Sequence, residues 1–385
     1  ASSQSASTPD FKNTVYVQQM IDIDLDGMLE FVYATTYKMK FFRSIKTSGP
    51  THFVQKFEWD FQDKNDGFIF SLAVSDLNGD GNEDLVLGTK FSGVYYYLYE
   101  QIGTNGVEYS ERKRLTDKNG NAMNTVSTIN IHGYLNPLAT NSVPTFMDVD
   151  LNGISDVLLG AYVSAVSSSI QLYKNSAVSP SDPLKLKQGS SSLSSACSGL
   201  NCWSTTGHFD NDNILDLMIG DWKEIVIYKH NSDATFSRQT EWETDNGLPQ
   251  IISHRGGVYH QITFGDVDKD GDDDAVVGTY LGTLEYFERI QLVPPKWIQR
   301  DGTHGWSLAT INVGSGAKPI LIDYDTDGDL DLIVANSDGD FFLFEQGTCA
   351  SDCTTSGSCN IGTQYMPTCS CTFQGATDGK SCNSW

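Results

Sequence analysis

The 385-residue chain is predicted to be an all-β protein built from repeated units. Its apolar segments are short and β-branched, as in LVLG after Asp84 and LIVA after Asp331, which is typical of strands. No helical periodicity is sustained over a window of about 11 residues. One acidic nine-residue pattern recurs six times, at intervals of 54, 72, 60, 58 and 57 residues.

The pattern reads D-x-D-x-D-G-x-x-D and is followed each time by an apolar run. We number the copies loop one to loop six in chain order, and they begin at Asp22, Asp76, Asp148, His208, Asp266 and Asp323. A second alternating segment follows in later parts of the units, such as GVYYYLYE from Gly93. Three or four strands in each repeat of about 60 residues predict propeller blades.

The repeat length favours a β-propeller of six four-stranded blades over residues 1–347. A seventh blade is the alternative, and only the 72-residue interval between loops two and three offers spare chain for it. Residues 348–385 are predicted to form a small, disulfide-rich C-terminal module.

Cysteines support that division, because six of the eight fall in the last 37 residues, a stretch otherwise rich in Ser, Thr and Gly. Such a segment has too little apolar area to fold without staples. Zinc is disfavoured because no His and no C-x2-C pair lies among these cysteines. Cys197 and Cys202 are expected to staple a Ser-rich loop. The cysteines, with an Ala-Ser-Ser start that suits a processed end, predict a secreted, extracellular protein.

The acidic loops predict calcium sites. Alternating carboxylates and amides offer only oxygen ligands, which select a hard cation, and their number and the flexible loop favour Ca²⁺ over Mg²⁺. An EF-hand is excluded, since its last acid is at position 12 and a helix follows, whereas here the acid is at position nine and a strand follows. The alternative is that Asp-Gly turns merely join strands, but six copies with one spacing argue against it.

With these strands and loops, residues 10 to 347 resemble the FG-GAP or VCBS-type repeats of integrin α-chain propellers. The resemblance implies one calcium per loop, held by side chains at positions one, three, five and nine and by the carbonyl at position seven. Five or six ions are expected. Loop four departs most, since His208 replaces the first Asp and Asn213 replaces the Gly. The implied ligands are Asp22, Asp24, Asp26, Met28 and Glu30; Asp76, Asn78, Asp80, Asn82 and Asp84; Asp148, Asp150, Asn152, Ile154 and Asp156; Asp210, Asp212, Ile214 and Asp216; Asp266, Asp268, Asp270, Asp272 and Asp274; and Asp323, Asp325, Asp327, Asp329 and Asp331.

The C-terminal cysteines resemble an EGF-like module through their C-x-C step followed by Phe373 and Gly375. This resemblance implies the pairs Cys349 with Cys359, Cys353 with Cys369, and Cys371 with Cys382. The residues alone leave all fifteen pairings of six cysteines open.

Composition and missing motifs exclude several functions. The formal charge of −24 argues against nucleic-acid binding through a basic surface. The sequence contains no apolar run of about 18 residues, so a membrane-spanning helix is not predicted. No G-x-S-x-G, H-E-x-x-H or G-x-x-x-x-G-K motif occurs, and His254 and His260 with Arg255 are the nearest approach to a catalytic cluster.

We therefore expect a secreted, non-catalytic calcium-binding propeller that acts in extracellular adhesion or assembly. It could be a subunit of a filament or coat that binds protein or glycan partners and self-assembles through its C-terminal module. The first alternative is a soluble glycan-binding lectin, and a propeller hydrolase comes after it. Aromatic side chains could stack on sugar rings or pack between blades, namely those of Tyr95, Tyr96, Tyr97, Tyr99, Trp203, Trp222, Trp297 and Trp306.

Overall fold

A computed structural model describes most of residues 1–347 and part of the C-terminal region. The described residues are 17–22, 30–34, 38–45, 52–60, 69–89, 93–103, 106–110, 113–116, 130–131, 134–135, 141–162, 170–175, 186–188, 193, 203–210, 212–220, 225–239, 261–279, 281–291, 295–300, 308, 311–314, 316–323, 328–336, 340–344, 358–361 and 367–370. Over these residues the regular structure is β-strand, as predicted. A helix able to cross a bilayer was not found among them.

The first two sheets are antiparallel and have four strands each. The first comprises β1 (Val17–Ile21), β2 (Glu30–Ala34), β3 (Lys38–Ile45) and β4 (His52–Asp60). The chain then forms β5 (Ile69–Ser75), β6 (Asp84–Thr89), β7 (Val94–Tyr97), β8 (Tyr99–Gly103), β9 (Gly106–Tyr109) and β10 (Lys113–Arg114). The second sheet has the order β10-β7-β6-β5, and β8 pairs with β9 in a separate hairpin. The segment GVYYYLYE, predicted as one strand, is thus divided at Leu98 between two sheets.

Four more sheets follow in chain order after a short pair, β11 (Asn130–Ile131) and β12 (Tyr134–Leu135). The third sheet comprises β13 (Asn141–Met147), β14 (Asp156–Tyr162), β15 (Gln171–Asn175) and β16 (Leu186–Gln188). The fourth comprises β17 (Trp203–Gly207), β18 (Asp216–Gly220), β19 (Ile225–His230) and β20 (Phe236–Arg238). The fifth comprises β21 (Gln261–Gly265), β22 (Asp274–Gly278), β23 (Leu284–Gln291) and β24 (Lys296–Arg300). The sixth has three strands in its described part, β25 (Lys318–Ile322), β26 (Asp331–Ala335) and β27 (Phe341–Phe344).

The second strand of each of these units carries the apolar run that follows an acidic loop. Every residue of β6, β18, β22 and β26 is buried. A strand that is apolar on both faces needs packing partners on both faces, which explains the continuous β-branched runs in place of alternation. The predicted strands after the loops are therefore confirmed.

Successive sheets pack on one another through shared apolar clusters. In one of them, Phe41 of the first sheet meets Leu85 and Leu87 of the second. Equivalent clusters join the second to the third sheet, the third to the fourth, the fourth to the fifth and the fifth to the sixth. The first strands of neighbouring sheets are also in contact, β5 with β1 and β13, β13 with β17, and β25 with β21.

In the C-terminal region the described residues form one hairpin, β28 (Ser358–Ile361) with β29 (Pro367–Ser370). Its backbone register places Cys359 opposite Cys369. The other cysteines named above, Cys197, Cys202, Cys349, Cys353, Cys371 and Cys382, lie outside the described residues. The domain boundary after residue 347 and the disulfide pairs remain predictions.

Candidate metal centres

Each acidic loop joins the first and second strands of its sheet. Position one follows the first strand directly, and position nine is the first residue of the second strand. The register is the same in all six sheets, since the residue before position one pairs with position nine, as Ser75 pairs with Asp84. One structural rule therefore governs all six loops.

The aspartate at position one organises the turn. In loop two, Asp76 accepts hydrogen bonds from the backbone N–H groups of Gly79, Asp80 and Gly81, at 2.7, 3.1 and 2.8 Å. Asp148 and Asp266 accept equivalent bonds in loops three and five, and Asp323 accepts one from Gly328 at 3.0 Å. These bonds wrap the backbone around the carboxylate, so that the following ligand positions can face a common point.

The turn requires left-handed backbone at two positions. Position six has φ values of 87°, 86°, 96° and 90° at Gly81, Gly153, Gly271 and Gly328, which explains the Gly of the pattern. Position four is also left-handed and holds Gly79 in loop two, but Leu151 and Lys269 in loops three and five, at 56° and 62°. A side chain with a Cβ is strained there.

The acid at position nine is buried and holds the sheet together. Asp84 accepts backbone hydrogen bonds from Leu77 at 2.9 Å and from Tyr99, beyond the third strand, at 2.8 Å. Asp156, Asp216 and Asp274 make the same two kinds of bond. All four side chains have no exposed surface. Position nine therefore ties the loop to the third strand in addition to any role as a ligand.

Burial raises the pKa of these carboxyls. The pKa of Asp84 and of Asp274 rises to about 7, and that of Asp156 and of Asp216 to about 6, although the backbone N–H donors oppose the shift. Each group is thus costly to hold in its charged form. A bound cation would remove that cost.

Three acidic ligand positions come together in each of two loops, namely positions one, three and nine in loop three and positions one, three and five in loop five. Oxygens of Asp148, Asp150 and Asp156 lie within 4.8 Å of one another in loop three, as do those of Asp266, Asp268 and Asp270 in loop five. Burial, followed by the charge of Asp270, raises the pKa of Asp268 to about 6. These groups of acids could hold a metal ion.

Buried carboxylate oxygens that lack a hydrogen-bond partner among the described residues also occur in these loops. Asp150 Oδ1 is buried and accepts no hydrogen bond from the described residues, and the same holds for Asp272 Oδ1. Buried oxygens without a donor are unfavourable, and a hard cation would supply the missing partner. Loop three therefore fits the predicted metal through an unsatisfied oxygen of a converging ligand, and loop five through its three converging carboxylates.

Loop four is different. His208 stands at position one and is exposed, and Asn213 takes the left-handed conformation at position six with φ of 63°. Lys229, from β19, contacts Asp210 and places its Nζ 2.7 Å from Asp212 Oδ2. The sequence pattern did not identify this lysine, since it follows position nine by 13 residues.

Loops one and six are described in part. Asp22 and Glu30 are described in loop one, and Asp323, Asp329 and Asp331 in loop six. Asp24, Asp26, Met28, Asp325 and Asp327 lie outside the described residues, as do His254, Arg255 and His260. Their roles remain predictions.

Sequence reasoning also missed a hydrogen bond that links neighbouring sheets. The backbone N–H of Asn175 binds Asp156, and its side-chain Nδ2 donates to the carbonyl of Leu77 in loop two, at 2.8 Å. His230 Nε2 lies 3.1 Å from the carbonyl of Val149, and Arg289 Nη1 donates to that of His208 at 3.0 Å. In loops three, four and five, the residue whose backbone N–H binds the position-nine acid thus reaches back to the preceding acidic loop.

Several of the aromatic candidates are engaged in packing. Trp297 and Tyr95 are buried. Trp59 lies 5.9 Å from Tyr97 and 5.2 Å from Tyr109 between ring centroids, so Tyr97 belongs to a cluster between the first two sheets. Trp222 and Trp306 lie outside the described residues.

Comparison with known proteins identifies the repeats in two parts of the chain. Residues 208–277, which contain loops four and five, match a family model described as an FG-GAP-like repeat, and residues 68–103, which contain loop two, match the FG-GAP repeat. The predicted resemblance is confirmed for these stretches. No curated protein was found to match the chain. A similar solved structure is that of an Agrocybe aegerita lectin, described as specifically recognising non-reducing terminal N-acetylglucosamine; it is 13% identical, the match covers 87% of this chain and 80% of the lectin, and the TM-score is 0.47.

Proposed function

We propose that this chain is a secreted, non-catalytic calcium-binding propeller that binds an extracellular protein or glycan partner in adhesion or assembly. The observation that carries the proposal is the convergence of carboxylates in loops three and five on a turn geometry that recurs along the chain. FG-GAP repeats over residues 68–103 and 208–277 support it.

Calcium fits these loops better than other common metals. The side-chain ligands are carboxylates and amides, without thiolate or imidazole except at His208, and hard oxygen donors favour Ca²⁺. In loop five, Asp266, Asp268, Asp270 and Asp274 would hold the ion with the carbonyl of Asp272. The ion would supply charge neutralisation, and the chain's own carboxylates would fix the loop around it.

The six sheets are proposed to close into a ring of six blades. Packing of each sheet on the next supports this arrangement. A contact between the two ends of the series supports it further, because the rings of Phe31 in β2 and Phe341 in β27 lie 4.7 Å apart between centroids. Closure of this kind protects the sheet edges from pairing with other chains.

A non-catalytic role agrees with how the carboxylates are used. The acids at positions one and nine accept backbone hydrogen bonds that define the loop and the sheet. A hydrolase would need acids that are free to exchange protons with a substrate. The extracellular setting rests on the cysteine-rich C-terminal region, whose disulfides and EGF-like fold are part of this proposal.

Calcium binding by the full-length protein is the first test. We expect isothermal titration calorimetry to give about five bound Ca²⁺ ions, one for each loop that keeps Asp at position one and Gly at position six, and much weaker binding of Mg²⁺. Absence of calcium binding, or equal affinity for both ions, would overturn the proposed metal.

Sedimentation and glycan retention then distinguish the modes of action. Assembly predicts calcium-dependent polymers in analytical ultracentrifugation, whereas a lectin predicts a monomer that is retained on a glycan array. Turnover of a glycan or ester substrate would overturn the non-catalytic proposal.

A further inference from the structure

Loop four lacks two features that shape the other described loops. The position-one carboxylate that accepts backbone N–H bonds in loop two is replaced by His208. Asn213 replaces the glycine at position six. The loop nevertheless keeps its position-nine anchor, since Asp216 accepts hydrogen bonds from Phe209 and His230 at 3.2 and 2.8 Å.

A lysine ammonium stands where the carboxylates of loop four meet. Lys229 Nζ contacts Asp210 and lies 2.7 Å from Asp212 Oδ2. Asp210 is buried, and the side chain of Lys229 is 26% exposed. The positive charge is thus placed between the acids of positions three and five, which are the groups that face the common point in loop five.

The strand register defines the position of this lysine in every sheet. Tyr228 pairs with Leu217, so Lys229 stands opposite Asp216 at position nine. By the same register the equivalent residue is Arg43 for loop one, Leu98 for loop two, Lys174 for loop three and Glu288 for loop five. The charge at this position therefore changes from loop to loop.

The charge of the residue at this position determines which group it pairs with. Lys174 Nζ is 3.4 Å from Asp150 Oδ2, at the edge of a carboxylate group that still converges. Glu288 instead forms a bidentate pair with Arg300, at 2.7 Å for both contacts. Within the described residues, no lysine forms an ion pair with Asp266, Asp268 or Asp270, whose oxygens converge.

We propose that Lys229 is an internal cation that closes loop four without a divalent metal, and that the side chain at this strand position sets which acidic loops take calcium. The inference rests on the proposed calcium function of the other loops. An ammonium between two carboxylates neutralises part of their charge and repels an incoming divalent ion. Among the loops whose residue at this position is described, loops two and five should therefore bind calcium most tightly, loops one and three less tightly, and loop four not at all.

A matched set of full-length variants tests this assignment through the number of bound ions. The double variant H208D/N213G restores the pattern of loop four but keeps the lysine, and H208D/N213G/K229Q also removes it. Equilibrium dialysis should give the wild-type number of Ca²⁺ ions for the double variant and one more for the triple variant. The reverse exchange, E288K, should weaken calcium binding at loop five, as Lys174 is expected to do at loop three, whereas E288Q should keep the wild-type affinity although it also disturbs the pair with Arg300.

Outcomes that contradict the proposal are equally distinct. A double variant that gains an ion, or a triple variant that gains none while its circular dichroism spectrum is native, would overturn the role of Lys229. A wild-type protein that binds calcium in loop four would overturn it while leaving the proposed function intact. A wild-type protein that binds no calcium would overturn the proposed function.

A measurement in chelator tests the internal cation independently of calcium. There K229Q should melt at a lower temperature than wild type, because Asp210 and Asp212 lose their counter-charge. K174Q should change the melting temperature less, since its contact is longer and more exposed. Equal melting temperatures for K229Q and wild type would contradict an internal cation.

Discussion

At the residue scale, the position-nine acid has a structural role as a hydrogen-bond acceptor besides its proposed role as a calcium ligand, and the sequence pattern does not distinguish the two. Asp84 accepts N–H bonds from Leu77 in the loop and from Tyr99, two residues beyond the third strand, while it is fully buried. Its geometry is thus fixed by the fold, and a cation would act on a carboxylate that is already in place. Preorganisation of this kind lowers the cost of ordering the loop on binding.

Replacing Asp84 by Asn should destabilise the protein even in chelator. The amide keeps the size of the side chain but turns one acceptor into a donor, which leaves a buried backbone N–H without a partner. Such a loss costs about 1–3 kcal/mol of unfolding free energy. Chemical denaturation of D84N measures it, with E83Q, at the exposed neighbouring position, as the control. If both variants unfold like wild type, position nine is a ligand and nothing more.

Position four offers a test in the opposite direction. Leu151 has φ of 56° and is 40% exposed, so its side chain gains little from burial while its backbone is strained. L151G should stabilise the protein by about 0.5–1 kcal/mol, because glycine adopts this conformation without the Cβ clash. Leu215 is similarly exposed at 37%, and no positive φ occurs there. L215G should therefore lower stability, and a loss in both variants would argue against strain at Leu151.

At the scale of the element, sequence patterns predicted strands and loops well but their mutual contacts poorly. The runs LVLG and LIVA lie in β6 and β26, and the acidic loops join the strands as expected. GVYYYLYE was divided because the backbone groups of Leu98 bond with Ser110 at the end of a hairpin. Lys229 was missed since its place depends on the register of two strands, which no local pattern encodes.

The link between neighbouring sheets gives a prediction at this scale. N175A removes the donor to the carbonyl of Leu77, a residue with no exposed surface, and leaves that carbonyl with one hydrogen bond fewer. We expect a loss of about 1–3 kcal/mol in unfolding free energy. N82A, in which the position-seven carbonyl is retained, is the control. Weaker calcium binding in loop two of N175A, measured by titration, would indicate that the hydrogen bond from Asn175 also helps to order loop two for binding.

For the whole molecule, acidity and stability are connected through the metal sites. The chain carries 49 acidic and 25 basic residues, and 21 of the acids stand at side-chain ligand positions of the six loops. Filling these sites would neutralise much of the net charge of −24. Protons and calcium should then each stabilise the folded state, and each should weaken the effect of the other, since both compete for the same carboxylates.

The last prediction concerns pH. The pKa of Asp84 and of Asp274 is raised from 3.8 to about 7, so the folded state binds more protons than the unfolded state between these values. In chelator the melting temperature should therefore fall as the pH rises from 5.5 to 7.5. In saturating calcium the gain over chelator should grow over the same range, because the ligands must be deprotonated to bind the ion. D84N should show a shallower fall in chelator, and a melting temperature in chelator that rises steadily with pH would contradict the assignment.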